Sequence, residues 1–374
     1  ASFRRTAPGS TVRMALSTDG GLTFPYDITN SYALSTRVFP WSSHPPYDPV
    51  TNAVIRMQII SSPNPDDTNV VAYSDRFTLR GIKVKSPILG DAWQIGTTNP
   101  ITFVAAAAGA EATISYSPNG GISYESTPVT ASVAIVDGSN TINWVVGPTR
   151  QPSVNAMLRI AGTDYTGYSP IFTVGGIKVS RPFQYDIWAV GEANLISWIS
   201  VGTTGTNLLQ LQYLGSTNLP YTITNNYAGT TLDWLVDSNA IPGGLDTISN
   251  VVLLVRDLNG YQGYSEPFKL VRNARIEILS PAEGEYWKVG QTRTIQWLKG
   301  GQMDASEFRI YYSRNNFTNI HGEVLGTVDF NPLNNLFSID WGVPDQIGTT
   351  RFLVTNTVRS LVYEYGKPFD VCGN

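Results

Sequence analysis

Apolar and polar residues alternate along this chain in short runs separated by turn residues. Met14-Ala-Leu-Ser17, Ile114-Ser-Tyr-Ser117, Leu211-Gln-Tyr213 and Ile310-Tyr-Tyr-Ser313 each turn every second side chain the same way, the period of a half-buried strand. Stretches such as Thr98 to Tyr124 hold almost no Lys, Arg or Glu, the residues that propagate surface helices, and β-branched and aromatic residues dominate the apolar set. The pattern predicts an all-β chain.

The runs recur in a fixed order. Ile82-Lys-Val-Lys-Ser-Pro87 leads to Trp93 and Gly96, Ile177-Lys-Val-Ser-Arg-Pro182 to Trp188 and Gly191, and Ile276-Glu-Ile-Leu-Ser-Pro281 to Trp287 and Gly290. Ten residues after each Trp comes a second aromatic: Phe103, Trp198 and Trp297. A later alternating strand ends in Trp41, Trp144, Trp234 and Trp341, and a closing strand runs from a Tyr to a Phe four residues on: Tyr73 to Phe77, Tyr168 to Phe172, Tyr264 to Phe268, Tyr365 to Phe369. Fixed offsets of this kind mean one fold repeated.

Boundaries follow near Arg80, Gly175 and Asn273, dividing the chain into 1–80, 81–174, 175–272 and 273–374. Each full unit holds about seven short strands in about 95 residues, the pattern of an Ig-like or fibronectin-like β-sandwich. The recurring Trp and Phe are then core residues rather than a surface platform for sugars. The first unit lacks the opening phrase and is expected to be a half-sandwich, the remnant of a longer array, whose unpaired sheet is a predicted contact site. Junctions such as Val174-Gly-Gly-Ile177 leave no flexible tether, so the modules are expected to form a semi-rigid row that bends most easily at Gly175-Gly176.

Ser-Pro, an acidic residue, Trp, Val-Gly and then Ile-x-Trp, best preserved from Ser280 to Trp297, resembles the Ig-like repeats of large secreted bacterial surface and S-layer proteins, and the related fungal Ser/Thr-rich wall modules. That resemblance spans nearly the whole chain and implies a fold and a structural role rather than a chemistry. Arg181 stands where the other copies have Ser86 and Ser280. A local resemblance also exists: Ser17-Thr-Asp-Gly-Gly21-Leu-Thr-Phe24, echoed by Ser117-Pro-Asn-Gly-Gly121-Ile-Ser-Tyr124, looks like an Asp-box hairpin. It returns only after a whole module, which disfavours a propeller, and Asp or Asn with Gly suffices for a tight turn.

Composition narrows the function. Charged residues are 14% of the chain, against about 25% in ordinary domains. The net charge is −4 and the 25 basic residues are scattered, so no footprint for nucleic acid emerges. No window is long and apolar enough for a membrane-spanning helix. Cys372 is the one cysteine, so no internal disulfide forms. A large, nearly cysteine-free, Thr/Asn/Gly-rich β-chain resembles prokaryotic surface proteins more than secreted animal domains.

Catalytic chemistry finds little footing. His44 and His321 fall in non-equivalent loops, there is no Gly-x-Ser-x-Gly elbow, and Cys372 lies two residues from the end of the chain. Asp66-Asp67 and the pair Asp340 and Asp345 supply carboxylates, but in turn-like settings. The ion that suits the oxygen donors is calcium, with weak candidates at Asp257 and Asn259 in a hairpin loop and at Asp91, Asp186 and Glu285, which precede the opening Trp equivalently. Asn316-Phe-Thr318 is a glycosylation sequon.

The expected protein is therefore a non-enzymatic extracellular cell-surface chain: a segment of an S-layer or envelope array that self-associates through module edges and loops. An adhesin binding cell-surface glycan through aromatics such as Tyr124, Tyr221, Tyr261 or Phe317 is one alternative, and spacer modules of a larger secreted enzyme are another.

Overall fold

A computed structural model describes residues 9–36, 38–42, 47–67 and 70–373. Among them are strands and four short 3-10 turns, with no α-helix. Among the described residues no helix is long and apolar enough to cross a membrane. The chain is an all-β tandem array of Ig-like sandwiches. It divides into two compact units, Ala1–Gly175 and Gly176–Asn374.

The second module of the first unit displays the plan. One sheet joins Gly81–Ser86, Thr98–Ala106 and Gly138–Val145, with Val84 opposite Phe103 and Ile101 opposite Ile142. The facing sheet joins Thr130–Ala134, Glu111–Ser117, Ser153–Ala161 and Thr166–Tyr168. The short strand Ala92–Gln94 crosses over and pairs parallel with Thr173–Gly175. That crossing carries Trp93 into the core, where its ring centroid lies 5.0 Å from Phe172 and 6.0 Å from Trp144. The same trio closes the other full modules: Trp188 with Phe268 at 5.0 Å and Trp234 at 6.1 Å, and Trp287 with Phe369 at 4.9 Å and Trp341 at 6.0 Å. The rings meet edge-on in the second module and tilted in the other two, and buried aromatics packed this way dominate a core of this size.

The second aromatics Phe103, Trp198 and Trp297 are buried as the alternation predicts. Among the described residues the indole N–H groups of Trp198 and Trp297 have no hydrogen-bond partner.

The interval from Tyr to Phe hides a further device. Ser74, Ser169 and Ser265 lie between them, and each hydroxyl accepts the N–H of the neighbouring strand's Ile55, Leu158 or Leu253 at 2.9 Å while donating to the next carbonyl at 2.8 Å. Gly366 takes this place in the last module. These bonds set the true register. Leu211, opposite Leu253, corresponds to Tyr116, opposite Leu158, so Tyr213 lies two residues beyond the place that sequence alignment gives it. A shift of two keeps the same face, and both tyrosines donate to a backbone carbonyl, Tyr116 to Gln151 and Tyr213 to Ala240.

The described part of the first module forms a five-stranded sheet from Thr11–Ser17, Tyr26–Ala33, Val50–Ser61, Val71–Tyr73 and Phe77–Leu79. Ile55, Met57 and Phe77 are half-buried there, whereas their counterparts Leu158, Ile160 and Phe172 are fully buried.

Three edge strands are blunted by irregularity of register. Tyr26–Ala33, Thr130–Ala134 and Tyr221–Ala228 all break register against their partners, which twists an edge away from straight pairing. In the last module Arg309 covers its own edge, donating to the Phe308 carbonyl and meeting Glu323 at 3.6 Å.

Candidate functional site

The carboxylates singled out as calcium candidates close turns. Asp91 accepts the Ile88 N–H at 2.9 Å and Asp186 the Phe183 N–H at 3.1 Å, while Glu285 accepts the Trp287 indole N–H at 2.8 Å. The backbone carbonyls of all three accept an N–H from the closing strand: Thr173, Lys269 and Asp370. Asp257 is buried and takes the N–H groups of Thr204 and Tyr261, one on each oxygen, at 3.0 and 2.8 Å, and Asn259 is exposed beside it. The candidates lie in separate turns. Among the described residues no three His, Cys, Asp or Glu side chains gather closely enough to hold a metal ion.

The remaining chemistry-bearing residues are dispersed. His44 lies outside the described residues. His321 is exposed, with Nδ1 3.2 Å from the Asn319 carbonyl. Asp66 and Asp67 sit in a 3-10 turn, Asp66 exposed and Asp67 half-buried. Asp340 accepts the Thr294 hydroxyl at 2.7 Å, Asp345 is exposed, and the Cys372 thiol lies 3.6 Å from the Trp287 carbonyl.

The Asp-box-like hairpin occurs three times among the described residues. Ser17, Ser117 and Ser313 donate to Asp19, Asn119 and Asn315 and accept the N–H of Gly21, Gly121 and Phe317 at 2.8 to 2.9 Å. In the first, hydrogen bonds from the Ser17 and Thr23 hydroxyls and the Thr23 and Leu22 N–H groups hold the Asp19 carboxyl far below the usual range. Sequence reading missed the third because Asn316 and Phe317, at φ 53° and 61°, replace the two glycines that make the turn recognisable. Each hairpin is stapled by an aromatic contact: Arg56 lies 4.8 Å above Phe24, Arg159 4.1 Å above Tyr124, and Phe317 packs 4.9 Å from Tyr365. Tyr221 packs 6.3 Å from Trp234, and Tyr261 lies against the third module's core. The four candidate loop aromatics thus all have a partner within the fold.

Side chains of different modules converge where the third and fourth modules meet, inside the second unit. Ile187 of the strand Ile187–Ala189 pairs with Gly300 of the strand Thr292–Gly300. A Cβ on Gly300 would lie 2.7 Å from Ile187, so only glycine admits this approach. Ile187, Ala189, Val271 and Leu298 form a small buried cluster of their own. Around it Glu192 meets Arg359 at 2.5 Å and accepts the Gln302 N–H, Arg181 donates to the Pro332 carbonyl at 2.8 Å, and Asn335 donates to the Tyr185 carbonyl at 3.4 Å. Burial raises the Asp186 carboxyl above its ordinary range, against the pull of the Phe183 N–H and Arg181, and lowers the Lys299 ammonium.

The sequence matches no protein-family model and no curated protein. Among solved structures the chain is similar to extracellular domains 3-5 of Drosophila OTK, at 10% identity over 78% of this chain and 97% of that one, with a TM-score of 0.27. It is also similar to fibronectin(III)-like modules of Clostridium thermocellum CbhA, at 14% identity over 51% and 94% with a TM-score of 0.18. A third is the N-terminal eight Ig domains of Down Syndrome Cell Adhesion Molecule, at 12% identity over 99% and 47% with a TM-score of 0.21. The fold of this chain rests on the strand pairing itself.

Proposed function

We propose that the chain is a non-enzymatic structural segment of an extracellular surface array, of the S-layer or cell-envelope kind, in which its modules serve as stiff spacers and self-association builds the lattice. The observation that carries this reading is the junction of the third and fourth modules. A shared strand pairing, a private apolar cluster and the pair of Glu192 with Arg359 join two sandwiches that a passive string would leave loosely tethered. Low charge and abundant turns that end in hydroxyl and amide side chains suit contacts between copies through loops. The bulged edges leave less of that work to strand pairing.

Electron microscopy of the purified chain, with and without calcium, tests the reading. A regular two-dimensional array supports it. A chain that stays monomeric at high concentration in both conditions overturns it.

A further inference from the structure

Residues held in every copy of a repeat serve the fold, so positions that the copies do not share are free to serve something else. Four such positions line one groove of about 370 Å³ between the third and fourth modules. Tyr185 stands where the sister modules have Gly90 and Gly284, and Lys269 where they have Thr173 and Asp370. Glu277 replaces Lys83 and Lys178, and Leu279 replaces Lys85 and Ser180. The repeat's own fold needs none of these four side chains, since it forms without them in the other copies.

Their chemistry is of one kind. Tyr185 and Leu279 remain 46% and 41% exposed, an aromatic and an aliphatic face at the lip of a groove floored by Ile187, Leu298 and Phe268. Lys269 donates to both oxygens of Glu277 at 2.7 and 2.6 Å. The amides of Gln184 and Asn250 add further donors and acceptors at the rim. An apolar floor with ring faces, edged by donors and acceptors side by side and with Lys269 and Glu277 neutralised against one another, is complementary to a flat molecule with C–H faces and a hydroxyl perimeter.

We infer that this groove binds a neutral oligosaccharide, with one or two sugar rings against Tyr185 and Leu279 and hydroxyls on the Lys269 and Glu277 pair. The bound sugar would touch both modules and stiffen their junction. The inference does not need the array reading: a chain that forms no lattice can still hold sugar here, and a lattice can form with the groove empty.

The test is titration calorimetry of the whole chain with cellotetraose and with chitotetraose, repeated on Tyr185→Gly and Leu279→Ser, which carry residues the sister modules tolerate. The expected result is saturable binding of at least one probe in the submillimolar to millimolar range, weakened about tenfold or more by either substitution, with thermal melting unchanged. If a substitution lowers the melting temperature, Gln184→Ala at the exposed rim replaces it. Failure of both probes to bind overturns the inference, as does binding that survives the substitutions undiminished.

Discussion

Arg359 and Glu192 meet at 2.5 Å across 167 residues of sequence, and each belongs to a different sandwich. The Glu192 side chain is only 12% exposed and its other oxygen accepts the Gln302 N–H, so one carboxylate holds two segments of the fourth module against the third. Removing a partner from a group this buried costs more than the pair contributes in its favour, because the remaining charge stays desolvated.

Arg359→Ala is therefore expected to destabilise the junction by about 1–3 kcal/mol. Amide hydrogen exchange at Gln302 should accelerate well before exchange in the core strand Phe308–Ser313. Exchange at Gln302 that is unchanged in the variant would refute the role given to Glu192.

Trp287 and Trp297 should respond very differently to substitution. Trp287 is the centre of an aromatic trio, and Trp287→Ala should cost about 3–5 kcal/mol. Trp297→Phe removes an indole N–H that has no partner and installs the ring that Phe103 supplies in the second module, so the lost volume and the removed polar penalty offset each other. A change under about 1 kcal/mol is expected by denaturant unfolding.

Gly263 lies where a Cβ would come within 2.4 Å of the Ile177 carbonyl, and Gly167 repeats the arrangement with Ile82 at 2.6 Å. Gly263→Ala must push apart the two strands that seal one edge of the sandwich, at a cost of about 1–3 kcal/mol. Glu364 occupies the matching place in the last module, so Glu364→Gly should be tolerated there. Thermal melts of both variants check the contrast.

Ser169→Ala leaves the Leu158 N–H unpaired in a buried setting, and a loss of about 1–3 kcal/mol is expected. The same change at an exposed residue such as Ser132 serves as the control, and a loss no larger than the control's would refute the capping role.

Asp186 supplies a test by pH. Its folded carboxyl lies above the ordinary aspartate value of 3.8 because burial disfavours the charge. The native state then binds more protons than the unfolded chain between the two values, so stability falls as pH rises through that window. Asp186→Asn, which keeps an acceptor for the Phe183 N–H, should stabilise the chain at neutral pH, and the gain should vanish below about pH 3.8. Unfolding at pH 7 and pH 3.5 measures it.

Much of this protein is legible in one dimension because its logic is periodic. Alternation with a period of two assigns strands, and fixed offsets among Trp93, Phe103, Trp144 and Phe172 identify the core before any coordinates, since buried aromatics have few substitutes and the repeat prints them several times. Register within a face is less legible. Tyr213 and Leu211 both point inward, so the sequence allows either to be the counterpart of Tyr116, and only the serine hydroxyl of Ser265 on the Leu253 N–H decides between them. The third Asp-box-like hairpin escaped notice because a turn is a set of dihedral angles, and Asn316-Phe317 reach those angles without glycine. The groove and the pair of Glu192 with Arg359 are decided by tertiary structure alone. Their residues come from segments far apart in the chain, and the spacing between two modules is set by how Ile187 meets Gly300, a contact that no local pattern encodes.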